Sequence, residues 1–187
     1  MYIEKALIAD VMLALVVALT ISFVSTPMVR RLAFRIGAVD IPKDNRRMHD
    51  HPIARLGGLA IFFGFLVSVL IFAELGRQLQ GILIGAVVIV ALGIVDDIRS
   101  LPARLKFVVQ ILAAMVAVYH GVSIEAINNP NIFSSEPYWV LGIWSWPISV
   151  IWIVAITNSV NLIDGLDGLA DGVSSIGALT MLIISIL

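Results

Sequence analysis

Six apolar runs follow one another along the chain, each bounded by polar or charged residues. They cover residues 6–25, 56–73, 79–95, 105–122, 138–156 and 173–187. None of them alternates apolar and polar positions as a membrane barrel strand does. A bilayer-crossing helix needs roughly 20 apolar residues, and it satisfies its own backbone hydrogen bonds in hydrocarbon. The pattern therefore predicts an all-α integral membrane protein, a bundle of about six transmembrane helices.

The composition agrees with this pattern. Apolar residues make up 60% of the chain and charged residues 13%, whereas soluble domains contain about 25% charged residues. A soluble enzyme is excluded, and so is an intrinsically disordered chain, which would be poor in apolar residues. The chain contains no cysteine, which excludes disulfides and thiolate metal sites.

No repeat or linker divides the chain, so residues 1–187 form one predicted polytopic membrane domain. The sixth run gives only about 22 Å of helix, whereas the hydrocarbon core is about 30 Å thick. We therefore expect either that this helix begins earlier, near Leu169, or that the sequence is truncated.

Basic residues concentrate in two of the segments between the runs. Because short cytoplasmic loops are enriched in Lys and Arg, we expect both segments in the cytoplasm and the N-terminus outside. The segment after the fifth run then shares that face, so three polar segments converge there. The basic residues are Arg30, Arg31, Arg35, Lys43, Arg46, Arg47 and Arg55 in the first segment, and Arg99, Arg104 and Lys106 in the second.

Polar residues recur at every third position after the fifth run. Asp-Gly pairs favour turns over a continuing helix, so a folded-back loop is predicted. Amide and carboxylate oxygens aimed at one point suit Mg²⁺. The alternative is that these residues only cap helix ends. The residues are Asn158, Asn161, Asp164, Gly165, Asp167 and Gly168.

Two adjacent carboxylates, Asp96 and Asp97, end the third predicted helix. The negative end of the helix dipole opposes both of them, so a divalent cation or nearby basic side chains should compensate. Pro102 is expected to open the next helix, with Lys106 one turn inside it. The alternative is a solvated helix end.

The first polar segment, residues 40–58, is basic. Its cations suit phosphate oxygens, although such loops also act as topology signals or bind anionic headgroups. Zinc binding by His49 and His51 is disfavoured because the chain offers no cysteine ligand. Gly57 and Gly58 are expected to allow close helix packing, because no phosphate-binding glycine motif surrounds them.

Phosphoryl transfer to a lipid at the cytoplasmic membrane face fits all three segments. An ion-coupled transporter remains a rival, although transporters place their acids near the midplane. A CDP-alcohol phosphatidyltransferase is excluded, because its motif needs Ala-Arg where this chain has Asp171 and Gly172.

The motifs resemble those of the polyprenyl-phosphate N-acetylhexosamine-1-phosphate transferase superfamily. The resemblance rests on Asp96-Asp97 with Leu101 and Lys106 downstream, and on N-x-x-N-x-x-D-G-x-D-G-L-A from Asn158. The first loop is closer to the WecA/TagO branch, which uses UDP-GlcNAc, than to the MraY branch, which uses a UDP-MurNAc-pentapeptide. The resemblance covers the chain but only the N-terminal half of the family, so we expect this chain alone to be inactive.

The resemblance implies transfer of GlcNAc-1-phosphate from UDP-GlcNAc to undecaprenyl phosphate with release of UMP. It implies a bacterial plasma membrane protein that contacts membrane lipids, uses Mg²⁺ or alternatively Mn²⁺, binds no nucleic acid and forms a homodimer. The implied roles are catalysis for Asp96 and Asp97, metal binding for Asn161, nucleotide binding for Asp164, Gly165 and Asp167, and phosphate binding for Lys43, Arg46 and Lys106, with Asn158, His49 and Arg55 as further motif residues.

Overall fold

The computed structural model describes residues 2–40, 52–131, 136–165 and 168–186. Most of these residues are helical, and the predicted all-α class is confirmed. The helices are α1 (Tyr2–Ile36), α2 (Gly57–Phe72), α3 (Arg77–Arg99), α4 (Ala103–Tyr119), α5 (Ser145–Ile163) and α6 (Leu169–Ile186). Two short antiparallel hairpins pair β1 (Val39–Asp40) with β2 (Ile53–Ala54), and β3 (Ala126–Asn128) with β4 (Tyr138–Val140).

Three segments are long and apolar enough to cross a membrane, namely Ile8–Ile36, Arg77–Arg99 and Gly142–Ile163. Helices α2, α4 and α6 have 16, 17 and 18 residues, which gives about 24–27 Å against a core of about 30 Å. Large apolar side chains are exposed along the spans, for example Phe23 at 82% and Leu162 at 83%. Such exposure of apolar side chains is expected for helices that lie in a membrane.

Helix α1 extends well beyond the first apolar run. It continues from residue 26 to Ile36 through Pro27 and three arginines. The hydroxyl of Thr26 donates to the carbonyl of Ser22 at 2.7 Å, within the turn that precedes the proline. A loss of hydrophobicity marks where a helix leaves the hydrocarbon, but helical hydrogen bonding does not depend on it. The predicted end at residue 25 was therefore an end of the apolar span and not of the helix.

The fifth run begins with a strand and not with a helix. Tyr138–Val140 pairs with Ala126–Asn128, and a 3₁₀ turn, Gly142–Trp144, separates it from α5. Aromatic and β-branched residues favour strands, and Pro147 is tolerated in the first turn of a helix that begins at Ser145. The sixth helix begins at Leu169, which confirms the expected start before the sixth apolar run.

Small residues bring α1 and α2 together. A Cβ at Gly64 would overlap the carbonyl oxygen of Ala18, and the hydroxyl of Ser68 donates to the carbonyl of Ala14 at 2.8 Å. A Cβ at Gly57 or Gly58 would meet no described atom within 4 Å. Among the described residues, close helix packing therefore occurs at Gly64 and not at these two glycines.

Helices α3 and α4 form an antiparallel pair that is joined at the end opposite their connecting turn. The guanidinium of Arg77 donates to the carbonyl of Tyr119 at 3.1 Å, and the Gln78 amide donates to the carbonyl of Gly121 at 3.0 Å. Side chains at the start of α3 therefore satisfy carbonyl groups at the end of α4, where the helix itself leaves them without partners.

A small apolar cluster ties the first hairpin to the helices. Ala33, Ala38 and Leu56 are buried, and Ile94 of α3 packs against them. Val29, Ala54 and Leu59 complete the cluster. It contains residues of α1, β2, α2 and α3, so it holds Arg55, which directly follows β2, on the side of the bundle where α3 ends.

We expect Gly64→Ala to destabilise the chain by about 1–3 kcal/mol, because overpacking forces backbone shifts in a packed interface. The matched control is Gly93→Ala in α3, where a Cβ would meet nothing within 4 Å. Thermal unfolding in detergent, followed by tryptophan fluorescence, measures both. Equal midpoints for the two variants would contradict the assigned α1–α2 contact.

Candidate active site

The motif residues lie at one end of the helices. Asp96 and Asp97 are in the last turn of α3, and Lys106 is in the first turn of α4. Asn161 is in the last turn of α5, and Asp164 follows that helix directly. Antiparallel packing of α3 with α4 and of α4 with α5 places these three helix termini side by side. The second and third polar segments therefore lie at the same end of the helices.

Asp96 is engaged through both of its carboxylate oxygens. Its Oδ1 accepts a hydrogen bond from the backbone N–H of Leu101 at 2.7 Å, and its Oδ2 accepts one from Lys106 Nζ at 3.1 Å. Ser100, which precedes Leu101 in the chain, has a left-handed backbone with φ of 47°. The basic side chain that was expected to compensate the paired acids is thus Lys106. Asp96 organises the turn from α3 to α4.

Asp97 has a different environment. It is half-buried, and no residue in the described ranges donates a hydrogen bond to its carboxylate. Its charge interacts favourably with Arg55 and unfavourably with Asp96 and Asp164. Residues from all three polar segments therefore act electrostatically on this one carboxylate.

Arg55 is held in place by the first hairpin. Its backbone N–H donates to the carbonyl of Ala38 at 3.0 Å, and its Nη2 donates to Asp40 Oδ1 at 3.0 Å. Both side chains are partly exposed, at 37% and 23%. Because its position is fixed by backbone and side-chain contacts, the Arg55 cation offsets part of the negative charge at the end of α3.

Asn158 makes its contacts inside the bundle. Its Nδ2 donates to Gln110 Oε1 of α4 at 2.8 Å and to the carbonyl of Val154 at 2.8 Å. Gln110 is buried, with 8% of its surface exposed. The sequence reasoning missed Gln110, although a lone amide in the middle of an apolar run is a signal for such an interhelical hydrogen bond. Asn158 therefore links α5 to α4.

The predicted break between α5 and α6 is confirmed. Helix α5 ends at Ile163 and α6 begins at Leu169. Gly168 has φ of +78°, which glycine adopts at little cost, and its carbonyl accepts the N–H of Gly172 at 2.9 Å in the first turn of α6. Asn161, Asp164 and Gly165 are exposed on this turn, so their oxygen atoms are accessible to a ligand.

Four of the residues singled out from the sequence lie outside the described residues. They are Lys43, Arg46, His49 and Asp167. Their expected roles in phosphate binding, nucleotide binding and the first-loop motif stay predictions.

The chain matches a family model described as glycosyl transferase family 4 over residues 79–187. It is 42% identical over 179 residues to a probable undecaprenyl-phosphate N-acetylglucosaminyl 1-phosphate transferase of Bacillus subtilis, covering 94% of this chain and 48% of that protein. It is 34% identical to a decaprenyl-phosphate N-acetylglucosaminephosphotransferase of Mycobacterium tuberculosis, over 90% of this chain and 44% of the relative.

A more distant relative is a phospho-N-acetylmuramoyl-pentapeptide-transferase of Leptospira biflexa, 31% identical over 70% of this chain and 41% of that protein. The chain thus spans about half the length of the curated relatives it matches. No solved structure matches it.

We expect Asp96→Ala to destabilise the fold by about 1–3 kcal/mol, because it leaves the Leu101 N–H and the Lys106 ammonium without their partner. Asp97→Ala is the matched control. It removes no hydrogen bond made by a described residue, so its effect should stay within about 0.5 kcal/mol. Thermal unfolding in lipid nanodiscs distinguishes the two, and equal destabilisation would refute the different roles given to these neighbours.

Proposed function

The chain belongs to glycosyl transferase family 4, and from this membership we propose that it contributes the site of a membrane-bound polyprenyl-phosphate sugar-phosphotransferase. The proposed reaction transfers GlcNAc-1-phosphate from UDP-GlcNAc to undecaprenyl phosphate, and it releases UMP. The observation that carries the proposal is the meeting of the α3, α4 and α5 termini, where Lys106 donates to Asp96 at 3.1 Å and Asp97 lies in the same turn as Asp96. We place this end at the cytoplasmic face of a bacterial plasma membrane, with the N-terminus outside.

Two anionic substrates have to approach one another in this reaction, so positive charge is needed near the transferred phosphorus. Lys106 supplies it at the α3 terminus, and Arg55 adds a second cation from the first hairpin. Lys106 keeps 31% of its side chain exposed while it is paired with Asp96. A phosphate oxygen can therefore contact the ammonium without displacing the carboxylate.

A proton-abstracting base is not required. A phosphate monoester has a second pKa of about 6, so the lipid phosphate is largely dianionic at neutral pH. Both oxygens of Asp96 already accept hydrogen bonds, which suits positioning of the turn and of Lys106. Asp97, without such donors in the described part of the chain, is the carboxylate that is available to act at the reacting groups.

We propose magnesium as the cofactor, because carboxylate and amide oxygens are the ligands that it prefers. Asp97 and Asp164 carry charges that repel one another, and Asn161 offers an amide oxygen nearby in the chain. Within the described residues no three His, Cys, Asp or Glu side chains form a metal-binding group. Mg²⁺ usually keeps several waters and takes few protein ligands. When bound, Mg²⁺, or alternatively Mn²⁺, would neutralise part of the negative charge on the diphosphate of UDP-GlcNAc.

The relatives favour N-acetylglucosamine as the sugar. The Bacillus and Mycobacterium proteins, whose names specify that sugar, align with 94% and 90% of this chain, whereas the pentapeptide-transferase aligns with 70%. A transporter is disfavoured, because the acids described above lie at helix ends and not at mid-span. A homodimer stays a prediction.

The deciding experiment uses a chimera in which this chain replaces the matching segment of the Bacillus subtilis relative. We expect UMP release from UDP-GlcNAc with undecaprenyl phosphate and Mg²⁺, less from UDP-MurNAc-pentapeptide, and no CMP from CDP-diacylglycerol. This chain alone should reach less than about one tenth of that rate, because misplaced substrates lose the benefit of orientation. A membrane-inserted chimera that prefers the pentapeptide donor, or transfers neither sugar, would refute the proposal.

In the same chimera, Asp97→Asn and Asn161→Ala should each lower turnover by about 100- to 1000-fold, the effect of losing one electrostatic contact in the transition state. Asp171→Asn is the control, because this exposed acid lies in the first turn of α6 outside the motif. Initial rates of UMP release at saturating substrate measure the effect. Near-normal turnover in Asp97→Asn and Asn161→Ala would contradict the roles given to these residues.

A further inference from the structure

The end of the molecule opposite the candidate site carries an exposed apolar surface. It consists of Tyr138, Trp139, Val140, Ile143, Trp144 and Trp146, which we call the aromatic surface. Each of these side chains is more than half exposed, and Val140 and Ile143 reach 82% and 88%. Residues of β4, of the 3₁₀ turn and of the first turn of α5 contribute to it. Such an exposed apolar patch normally has a partner.

Hydrogen bonds fix the depth of this hairpin. The N–H of Ile124 donates to Ser149 Oγ at 2.8 Å, and the N–H of Leu141 donates to the carbonyl of Glu125 at 2.9 Å. Helix α5 has 19 residues, about 28 Å, so nearly its full length is needed to cross a core of about 30 Å. Ser145 then lies at the hydrocarbon boundary and Ser149 about 6 Å inside it. The base of the hairpin is therefore attached below the membrane surface.

The charge distribution is also unlike that of a loop in water. In residues 125–131 and 136–146, the charged side chains are those of Glu125 and Glu136, and none is basic. At the end of α4, the Arg77 guanidinium lies 5.6 Å from the Tyr119 ring centroid, and the rings of Tyr119 and Trp146 meet edge to face at 6.5 Å. Tryptophan, tyrosine and an occasional basic residue are the composition of membrane interfaces.

We propose that the aromatic surface lies in the boundary between headgroups and acyl chains of the leaflet opposite the candidate site, with phospholipid as its partner. It is continuous with the exposed side chains of Ile151 and Trp152 on α5, one of the apolar spans. Because α5 runs without a break from Ser145 to Ile163, this contact also fixes how deep Asp164 lies at the other end. The hairpin acts as an interfacial anchor.

The test uses nitroxide labels on single cysteines, since the natural chain has none. Val140→Cys and Ile143→Cys report on the aromatic surface. Glu74→Cys, between α2 and α3 at the same end, is the aqueous control, and Ile151→Cys is the lipid control. In proteoliposomes of the full chain, we expect the oxygen-to-nickel-chelate accessibility ratio at 140 and 143 to exceed that at 74 by at least about threefold, as for a side chain 5–10 Å deep.

Two results would overturn the proposal. Ratios at 140 and 143 equal to that at 74 would show a hairpin that projects into water. Low accessibility to oxygen and to the nickel chelate at positions 140 and 143 would show that protein, such as a second copy of the chain, covers the aromatic surface. Unchanged far-UV circular dichroism verifies the fold of each labelled chain, and the second labelled position guards against a local perturbation at the first.

Discussion

The high cost of placing charge in hydrocarbon determines where this chain can carry out chemistry. Acids and bases that cannot lie among acyl chains are confined to helix ends, and backbone groups within the membrane have to be satisfied inside each helix. Antiparallel packing of α3, α4 and α5 then brings three polar termini to one place. Membrane crossing thus assembles the site, because every second span returns the chain to the same face.

Helix geometry separates the two neighbouring acids. Successive residues of an α-helix point about 100° apart, so Asp96 and Asp97 cannot share an environment. Asp96 faces the turn, where Leu101 and Lys106 donate to it. Asp97 is half-buried, and no described residue donates a hydrogen bond to it. The apolar cluster around Leu56 and Ile94 keeps the first hairpin against α3, and thus supplies the cation that acts on Asp97.

Sequence patterns predicted those features that depend on local physics. Apolar runs located the helices, and the Asp-Gly pairs located the break before Leu169. Features that depend on a distant partner were missed: the pairing of Tyr138–Val140 with Ala126–Asn128, the Gln110–Asn158 hydrogen bond, and the packing role of Gly64 in place of Gly57 and Gly58. A glycine pair has the same composition whether or not a second helix passes close to it, so only the fold distinguishes these cases.

The acids at the end of α3 are unfavourable for helix stability, and this is informative about function. A helix C-terminus is stabilised by Lys or Arg and destabilised by Asp. Lys106 and the Leu101 N–H offset the charge of Asp96 within the fold. The charge of Asp97 is not offset in the same way. The nearby Arg55 cation favours it, but the carboxylates of Asp96 and Asp164 disfavour it. Departures from local stability rules concentrate at functional sites. The turn alone explains Asp96, whereas no described residue donates a hydrogen bond to Asp97.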